Sequence, residues 1–198
     1  MAANTYLTPE ERTLLESVRV GIAGAGGLGS NCAMHLVRSG VKHITIADFD
    51  VVNESNLNRQ FFFRDQLGQK KVVALKDNLL RIEPDADIRA VDIRLDASSA
   101  REVFADCGIV VEAFDVVDAK VMLVSAFASS GKKLVTASGL AGWGRSNAMK
   151  VRKMGNIVAI GDGETSVGDG AAPVSPRVGI AAAMEANSVV AMLLEKEL

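Results

Sequence analysis

The sequence contains few of the residues that form disulfides, zinc sites or nucleic-acid-binding surfaces. Its 198 residues include two cysteines and two histidines, and the formal net charge is −2. Two cysteines cannot form a disulfide framework or a four-cysteine zinc site, so we expect no zinc. Without a basic excess there is no electrostatic case for nucleic acid or an acidic membrane. We interpret Cys32 and Cys107, each within an apolar segment, as inert core thiols.

The sequence shows neither the pattern of a secretory signal peptide nor that of a membrane-spanning helix. The opening MAANTYLTPEERTLL lacks a positive start followed by an apolar run. No apolar segment reaches the roughly 20 residues that cross a bilayer. We therefore expect a cytoplasmic protein. A chain of this length can bury roughly two-thirds of its unfolded surface, which predicts a single domain over residues 1–198.

Apolar runs of strand length alternate with helical patterns through most of the chain. Strands are predicted at Val18–Ala23, His43–Ala47, Ile88–Ile93, Ile109–Phe114 and Lys133–Ala137. Helices are predicted from Thr8 to Ser17 and at Leu28–Ser39, Lys70–Ile82, Ser98–Ala105 and Val117–Ser130. This alternation predicts an α/β fold with a Rossmann-like, doubly wound, mostly parallel sheet.

The pattern changes after Ala137. Residues Ala148–Lys153 and Asn156–Ile160 indicate a hairpin, and hence an antiparallel C-terminal extension of the sheet. Gly161–Pro176 is rich in turn-forming residues and is predicted to be a mobile loop. A last helix is predicted through Leu198, and its wide apolar face suits either core packing or a dimer interface.

Glycines occupy the turn between the first predicted strand and the helix after it. Gly24, Gly26 and Gly29 match G-x-G-x-x-G, in which backbone N–H groups and the helix dipole can approach a phosphate. Alone, the motif also fits an ordinary NAD-binding turn, with Asp48 on the ribose. The additional Gly27 favours a flatter loop beneath an adenosine and its α-phosphate.

The run DFDVVNESNLNRQFFFRDQLGQKK, from Asp48 to Lys71, adds groups that hydride transfer does not need. Cleavage at an α-phosphate develops charge on the departing pyrophosphate, and fixed cations lower that barrier. Arg59 and Lys71 suit this role. In isolation such residues are usually surface charges, and asparagines such as Asn56 are usually turn formers. Their combination after a glycine loop favours nucleoside triphosphate chemistry.

Three motifs together resemble the ubiquitin-activating-like superfamily, in particular the ThiF and MoeB adenylyltransferases. They are GxGGLGS at Gly24–Ser30, DxDxVxxSNLNRQ at Asp48–Gln60 and GQxK at Gly68–Lys71. The resemblance implies ATP as cofactor, bound by Gly24, Gly26, Gly27, Asp48, Asp50, Asn56, Arg59, Gln60 and Lys71. It implies that Arg59, Lys71 and Asp115 are catalytic, and that Asp115 orients Mg²⁺.

The chain departs from that family at several positions. Val116 stands where an asparagine usually follows the aspartate, and Asp118 or Lys120 could compensate. The Cys-x-x-Cys pairs and the loop cysteine of larger members are missing. In these respects the chain resembles the short, zinc-less ThiF branch of thiamine biosynthesis. That likeness implies adenylylation of the C-terminal glycine of a ThiS-like carrier ending in Gly-Gly, with release of pyrophosphate.

The same resemblance implies a homodimer, in which Arg12 is the candidate for an arginine donated to the partner's site. Trp143 could line a cleft for the carrier tail or pack at a sheet edge. Other functions stay open at this point: a MoeB-like activator, a tRNA threonylcarbamoyladenosine dehydratase, a dehydrogenase, or a carrier-binding subunit without catalysis. Intact Arg59, Lys71 and Asp115 argue against the last.

Overall fold

A computed structural model describes residues 6–166 and 170–198. Its helices are α1 (Pro9–Ser17), α2 (Gly27–Arg38), α3 (Lys71–Ile82), α4 (Ala97–Val103), α5 (Val117–Phe127) and α6 (Ser175–Leu193). Its strands are β1 (Val20–Ala23), β2 (His43–Asp48), β3 (Asp87–Asp92), β4 (Ile109–Glu112), β5 (Lys133–Ala137), β6 (Lys150–Met154) and β7 (Ile157–Gly161). Short 3₁₀ turns lie at Glu54–Asn56, Arg64–Gln66 and Ser146–Ala148.

The strands form one sheet in the order β3-β2-β1-β4-β5-β7-β6. Every neighbouring pair is parallel except β6 with β7. The predicted doubly wound sheet with an antiparallel C-terminal extension is confirmed. Strand order reverses between β1 and β4, so the chain leaves their carboxyl ends in opposite directions and opens a crevice there.

The central strands are buried on both faces, which explains their continuous apolar sequence. All residues of β1 and β4 are buried. One core cluster includes buried residues of α2, α3 and α6, and a second includes those of α4 and α5. Helix α6 packs against α2, burying Val178, Ala182 and Val189. Core packing is therefore the explanation of its apolar face.

Local chemistry accounts for most element ends. Helix α1 begins with a reciprocal capping box, in which Thr8 Oγ1 accepts the Glu11 N–H at 3.2 Å and Glu11 Oε2 accepts the Thr8 N–H at 3.0 Å. The last helix ends at Leu193 rather than continuing to Leu198. Strand β1 starts at Val20 rather than at Val18, and the side chain of Arg19 before it pairs with Asp87 and Asp106.

The segment predicted as a mobile loop, Gly161–Pro176, is anchored where it is described. Asp162 accepts the Thr165 N–H at 2.9 Å and forms a buried ion pair with Arg177 at 2.5 Å. Residues 167–169 of that prediction lie outside the described residues. The anchored part holds the start of α6 in place.

Both thiols are buried, as the sequence predicted. Burial raises the pKa of the Cys32 thiol well above its usual range and that of Cys107 to about 11. Both cysteines are therefore neutral and weakly nucleophilic at physiological pH. Among the helices of the described chain, none has the length and apolarity to cross a membrane.

Candidate nucleotide site

The glycine loop between β1 and α2 lies at the carboxyl edge of the sheet, beside the crevice. Gly24 has a φ of 103°, and a Cβ there would lie 2.8 Å from the Ala113 carbonyl oxygen. A Cβ on Gly29 would lie 1.9 Å from the Gly24 carbonyl oxygen. These two glycines permit close backbone packing. Gly26 caps α2 without a side-chain hydrogen bond, so the first N–H groups of the helix can face an anion.

Gly27 has a packing role that the sequence did not reveal. A Cβ there would lie 2.9 Å from Val178 Cγ1, at the start of α6, and 3.5 Å from Arg59 Cγ. Only a glycine lets these side chains close over the loop. Its predicted contact with a nucleotide stays a prediction.

Asp48 ends β2 beside the glycine loop, as a parallel sheet predicts. Its Oδ2 accepts the Ala25 N–H at 2.6 Å, and its Oδ1 accepts the Asp50 N–H at 2.7 Å. A carboxylate has about four lone-pair directions, so each oxygen retains capacity for a further donor such as a ribose hydroxyl.

Lys71 is the first residue of α3, and its side chain is only 7% exposed. The ammonium pairs with Asp50 Oδ2 at 2.8 Å. Its neighbour Lys70 points elsewhere, to the Phe49 carbonyl oxygen and Asp92. The predicted contact of Lys71 with a triphosphate therefore requires the ammonium to share or leave Asp50.

Arg59 lies against the start of α2 and is only partly buried. Its Nη1 donates to the Ser55 carbonyl oxygen at 3.2 Å and to Asn58 Oδ1 at 2.8 Å. Within the described chain it has no carboxylate partner. An uncompensated guanidinium beside a helix N-terminus is well suited to phosphate oxygens.

The two amides of this run have different surroundings. Asn56 Oδ1 accepts the Asn53 N–H at 3.0 Å, so it shapes a turn, and its predicted contact with the nucleotide stays a prediction. Gln60 is buried, and its Oε1 has no hydrogen-bond partner among the described groups. An unmet buried acceptor costs about 1–3 kcal/mol. Gln60 borders the glycine loop through its Nε2, which lies 3.9 Å from the position of a Cβ on Gly26, whereas the Oε1 itself is enclosed by protein.

Asp115 follows β4 at the same edge of the sheet and is exposed. No described group donates a hydrogen bond to its carboxylate. The described residues contain no group of three or more His, Cys, Asp or Glu suited to a metal. Magnesium in nucleotide sites is often held by one or two carboxylates together with substrate phosphates and water. A lone Asp115 fits a metal that arrives with its nucleotide.

Two positioning residues were missed by sequence reasoning. Ser30 Oγ donates to the Gly26 carbonyl oxygen at 2.6 Å and accepts the Phe61 N–H at 3.0 Å. Asn31 Nδ2 donates to the carbonyl oxygens of Gly27, at 2.7 Å, and Arg59, at 2.9 Å. They tie the Arg59 segment to the glycine loop. Their signal was a pair of adjacent polar residues directly after the glycines of the loop.

Two earlier alternatives are resolved by the geometry. Lys120 does not compensate for Val116, because its ammonium is occupied by Glu112 and the Ala137 carbonyl oxygen. Trp143 is 74% exposed, so the interpretation as a packing aromatic is wrong. Arg12 is half-buried on α1, and its predicted role across a dimer stays a prediction.

The glycine loop and the side chains around it lie at the point where the strand order of this α/β fold reverses. The model of the ThiF family matches residues 3–198, and the chain belongs to that family. This confirms the resemblance found in its motifs.

Several longer relatives have names that state an activity. The molybdopterin-synthase adenylyltransferase of Salmonella typhimurium is 37% identical over 112 residues, 56% of this chain and 45% of that protein. The adenylyltransferase and sulfurtransferase UBA4 of Yarrowia lipolytica is 30% identical over 180 residues, 87% of this chain and 46% of that protein. Its counterpart in Eremothecium gossypii is 35% identical over 127 residues, which is 64% of this chain and 29% of that protein. The chain spans less than half the length of each.

Solved structures confirm the fold over nearly the whole chain. The E. coli tRNA N6-threonylcarbamoyladenosine dehydratase TcdA, in complex with AMP, superposes with a TM-score of 0.84 at 20% identity, covering 94% of this chain and 90% of that one. E. coli MccB superposes with a TM-score of 0.76 at 20% identity, covering 93% of this chain and 58% of that one. At such identities the likeness establishes architecture alone.

Proposed function

We propose that this chain is an ATP-dependent adenylyltransferase that activates the C-terminal glycine carboxylate of a small ubiquitin-fold sulfur carrier. The observation that carries the proposal is Arg59, a cation to which the described residues offer no carboxylate partner, tied by Asn31 to the start of a helix without a side-chain cap. Family membership and the names of longer relatives support the same reaction class.

The reaction follows from the chemistry of the substrate. A carboxylate is a poor electrophile, because its charge repels nucleophiles and its oxygen is a bad leaving group. One carboxylate oxygen attacks the α-phosphorus, a new P–O bond forms, and the bond to the β-phosphate bridging oxygen breaks. The products are an acyl-adenylate and pyrophosphate. No general base is needed, since a C-terminal carboxyl with a pKa of about 3.5 is already ionised at neutral pH.

Positioning and charge stabilisation would supply most of the catalysis. Arg59 and Lys71 stabilise the departing pyrophosphate, with Lys71 turning from Asp50 toward the phosphates. Asp48 holds the ribose, and Asp50 and Gln60 support the site beside it. A magnesium ion oriented by Asp115 would neutralise charge on the phosphate oxygens.

We assign to this chain the adenylation step alone. A thioester or acyl-disulfide needs an accessible thiolate, whereas Cys32 and Cys107 are buried with raised pKa values. The likeness to the short ThiF branch supports a ThiS-like carrier in thiamine biosynthesis. It also supports a homodimer, with Arg12 as candidate for an arginine contributed across its interface.

The test is ATP–pyrophosphate exchange with a purified carrier ending in Gly-Gly. Exchange should require the carrier, and the same carrier lacking its last two residues is the matched control. Asp115→Ala should lower exchange by roughly a hundredfold. If the wild-type chain shows no pyrophosphate exchange that depends on a ThiS-like carrier ending in Gly-Gly, the proposal is wrong.

A carboxylate on tRNA is the second candidate substrate. The near-complete mutual coverage of this chain and the E. coli dehydratase favours it, whereas the net charge of −2 argues against RNA. Cleavage of ATP that depends on threonylcarbamoyladenosine-containing tRNA, and not on a carrier, would establish the dehydratase. ATP binding with neither activity would indicate a carrier-binding subunit, a reading that Val116 keeps open.

A further inference from the structure

A buried charge network lies directly beneath the loop that carries Asp115. Glu112, the last residue of β4, is fully buried. Its Oε1 accepts the Phe114 N–H at 2.7 Å and the Lys120 ammonium at 3.1 Å. Its Oε2 accepts Lys120 at 3.0 Å and the Thr136 hydroxyl at 2.5 Å. One carboxylate thus joins a strand end, the loop after it, α5 and β5.

Lys120 completes the network from α5. Besides both oxygens of Glu112, its ammonium donates to the carbonyl oxygen of Ala137, the last residue of β5, at 3.1 Å. An ammonium has three donors, and all three are used. Because α5 begins just after Asp115, this side chain fixes the helix start against the ends of two neighbouring strands.

The network also reaches the glycine loop. The Ala113 N–H donates to the Ala23 carbonyl oxygen at 2.9 Å. On its other side the Ala113 carbonyl group occupies the space that a Cβ on Gly24 would need. The backbone before Asp115 is therefore held from below by Glu112 and at its side by the nucleotide loop.

A buried ion pair is a weak way to stabilise a fold, since well-packed apolar residues often do as well or better. Its directional bonds do fix geometry, however. We propose that Glu112, Lys120 and Thr136 are positioning residues that set the place of Asp115 relative to the glycine loop. The activity part of this inference rests on the proposed function, whereas the structural part does not.

The decisive comparison uses two lysines at opposite edges of the sheet. Lys132 donates to the carbonyl oxygens of Ala105, at 2.9 Å, and Cys107, at 2.6 Å, near the amino edge. Lys120→Met removes the proposed anchor, and Lys132→Met is the matched control. Lys120→Arg retains a donor to Glu112 and should rescue. Thr136→Val removes the hydrogen bond from the Thr136 hydroxyl to Glu112, and it replaces Lys120→Met as the test variant if Lys120→Met fails to fold.

Three readouts separate positioning from stability: amide hydrogen exchange over residues 113–117, ATP affinity without carrier, and kcat and KM in pyrophosphate exchange. In Lys120→Met we expect the rate of amide hydrogen exchange in residues 113–117 to rise at least tenfold. In pyrophosphate exchange, kcat should fall about 10- to 100-fold, with KM for ATP little changed. Lys132→Met and Lys120→Arg should stay within about threefold of wild type. Thr136→Val should change in the same direction by a smaller factor.

If Lys120→Met and Lys132→Met behave alike in loop exchange, the proposal is overturned. The same criterion applies to Thr136→Val against Lys132→Met should Lys120→Met be unfolded. If the wild-type chain shows no carrier-dependent pyrophosphate exchange, the proposed function fails. Amide hydrogen exchange in the loop and ATP affinity then still decide the positioning role.

Discussion

The two edges of the central sheet both carry charged side chains, and they differ in how those charges are paired. At the amino edge Arg19 pairs with Asp87 and Asp106, His43 lies 3.2 Å from Asp87, and Arg89 lies 2.9 Å from Asp106. At the carboxyl edge Lys70 and Lys71 pair with Asp92 and Asp50, whereas the described residues offer no charged partner to Arg59 or Asp115.

The difference shows that charge density alone does not mark a site. Surface ion pairs contribute little to stability, about 0–1 kcal/mol, and leave little for a ligand to satisfy. Groups that stay unmet and can be reached from solvent can bind one. The amino edge is therefore a solvated structural surface, and the carboxyl edge is the place to expect chemistry.

Replacement of one arginine at each edge should have the largest effect. Arg59→Ala should lower carrier-dependent pyrophosphate exchange by about a hundredfold or more, near 3 kcal/mol, since it removes charge stabilisation of the leaving group. Arg19→Ala should leave the rate of pyrophosphate exchange within about threefold of wild type and should lower only the free energy of unfolding. Equal losses of pyrophosphate exchange in the two variants would show that the two edges of the sheet do not differ in function.

The glycine loop offers a second test, because α6 closes on Gly27. In Gly27→Ala the new methyl group meets Val178, so the loop must shift, at a cost of about 1–3 kcal/mol. We expect ATP affinity, measured by titration calorimetry, to fall about tenfold. Val178→Ala in the same chain should restore part of it. Full affinity in Gly27→Ala would show that the contact is easily accommodated.

Glu185 is unmet as well, but it is sealed inside the protein. Both its carboxyl oxygens lack partners among the described groups. Burial, and then the nearby Glu112 charge, raises its pKa well above 4.5, while Lys120 acts in the opposite direction. Above about pH 4.5 the unfolded chain releases this proton and the folded chain keeps it, so stability declines as pH rises toward the folded pKa.

Glu185→Gln removes that linkage. Relative to wild type, its free energy of unfolding should improve by about 1.4 kcal/mol for each pH unit across this window, as measured by urea unfolding. Parallel pH profiles would mean that Glu185 is ionised in the folded protein. Exchange activity at one pH should change little.

The smallest effect is expected for Asp87, at the amino edge. Its hydrogen bonds to Arg19, and then to His43, lower its pKa below 3.8. Its contribution to stability is therefore present above about pH 3.8 and is lost as pH falls toward the folded pKa. Because the side chain is largely exposed, Asp87→Asn should cost well under 1 kcal/mol near neutral pH. A loss of exchange activity in this variant would contradict the structural role.

Much of this protein could be predicted because the relevant signals are local. The period of apolar residues placed the strands, and β5 begins and ends where it was predicted to. The proline and glutamates after Thr8 predicted the start of α1. The end of α6 was missed because Glu195, with a φ of 54°, turns the chain out of the helix, and no glycine marks that turn in the sequence. The 3₁₀ turns at Glu54–Asn56 and Arg64–Gln66 lie among turn-forming residues without a periodic signal.

The sequence by itself determined the doubly wound sheet and the glycine loop and indicated the family, because periodicity and motif spacing are carried by neighbouring residues. Only the tertiary structure decided which charges are free. Lys71 and Asp50 are 21 residues apart, and Thr136 and Glu112 are 24 apart, yet each pair is in contact. Such pairing depends on which strand ends and helix starts meet in space, and it separates an occupied side chain from one that can bind a substrate.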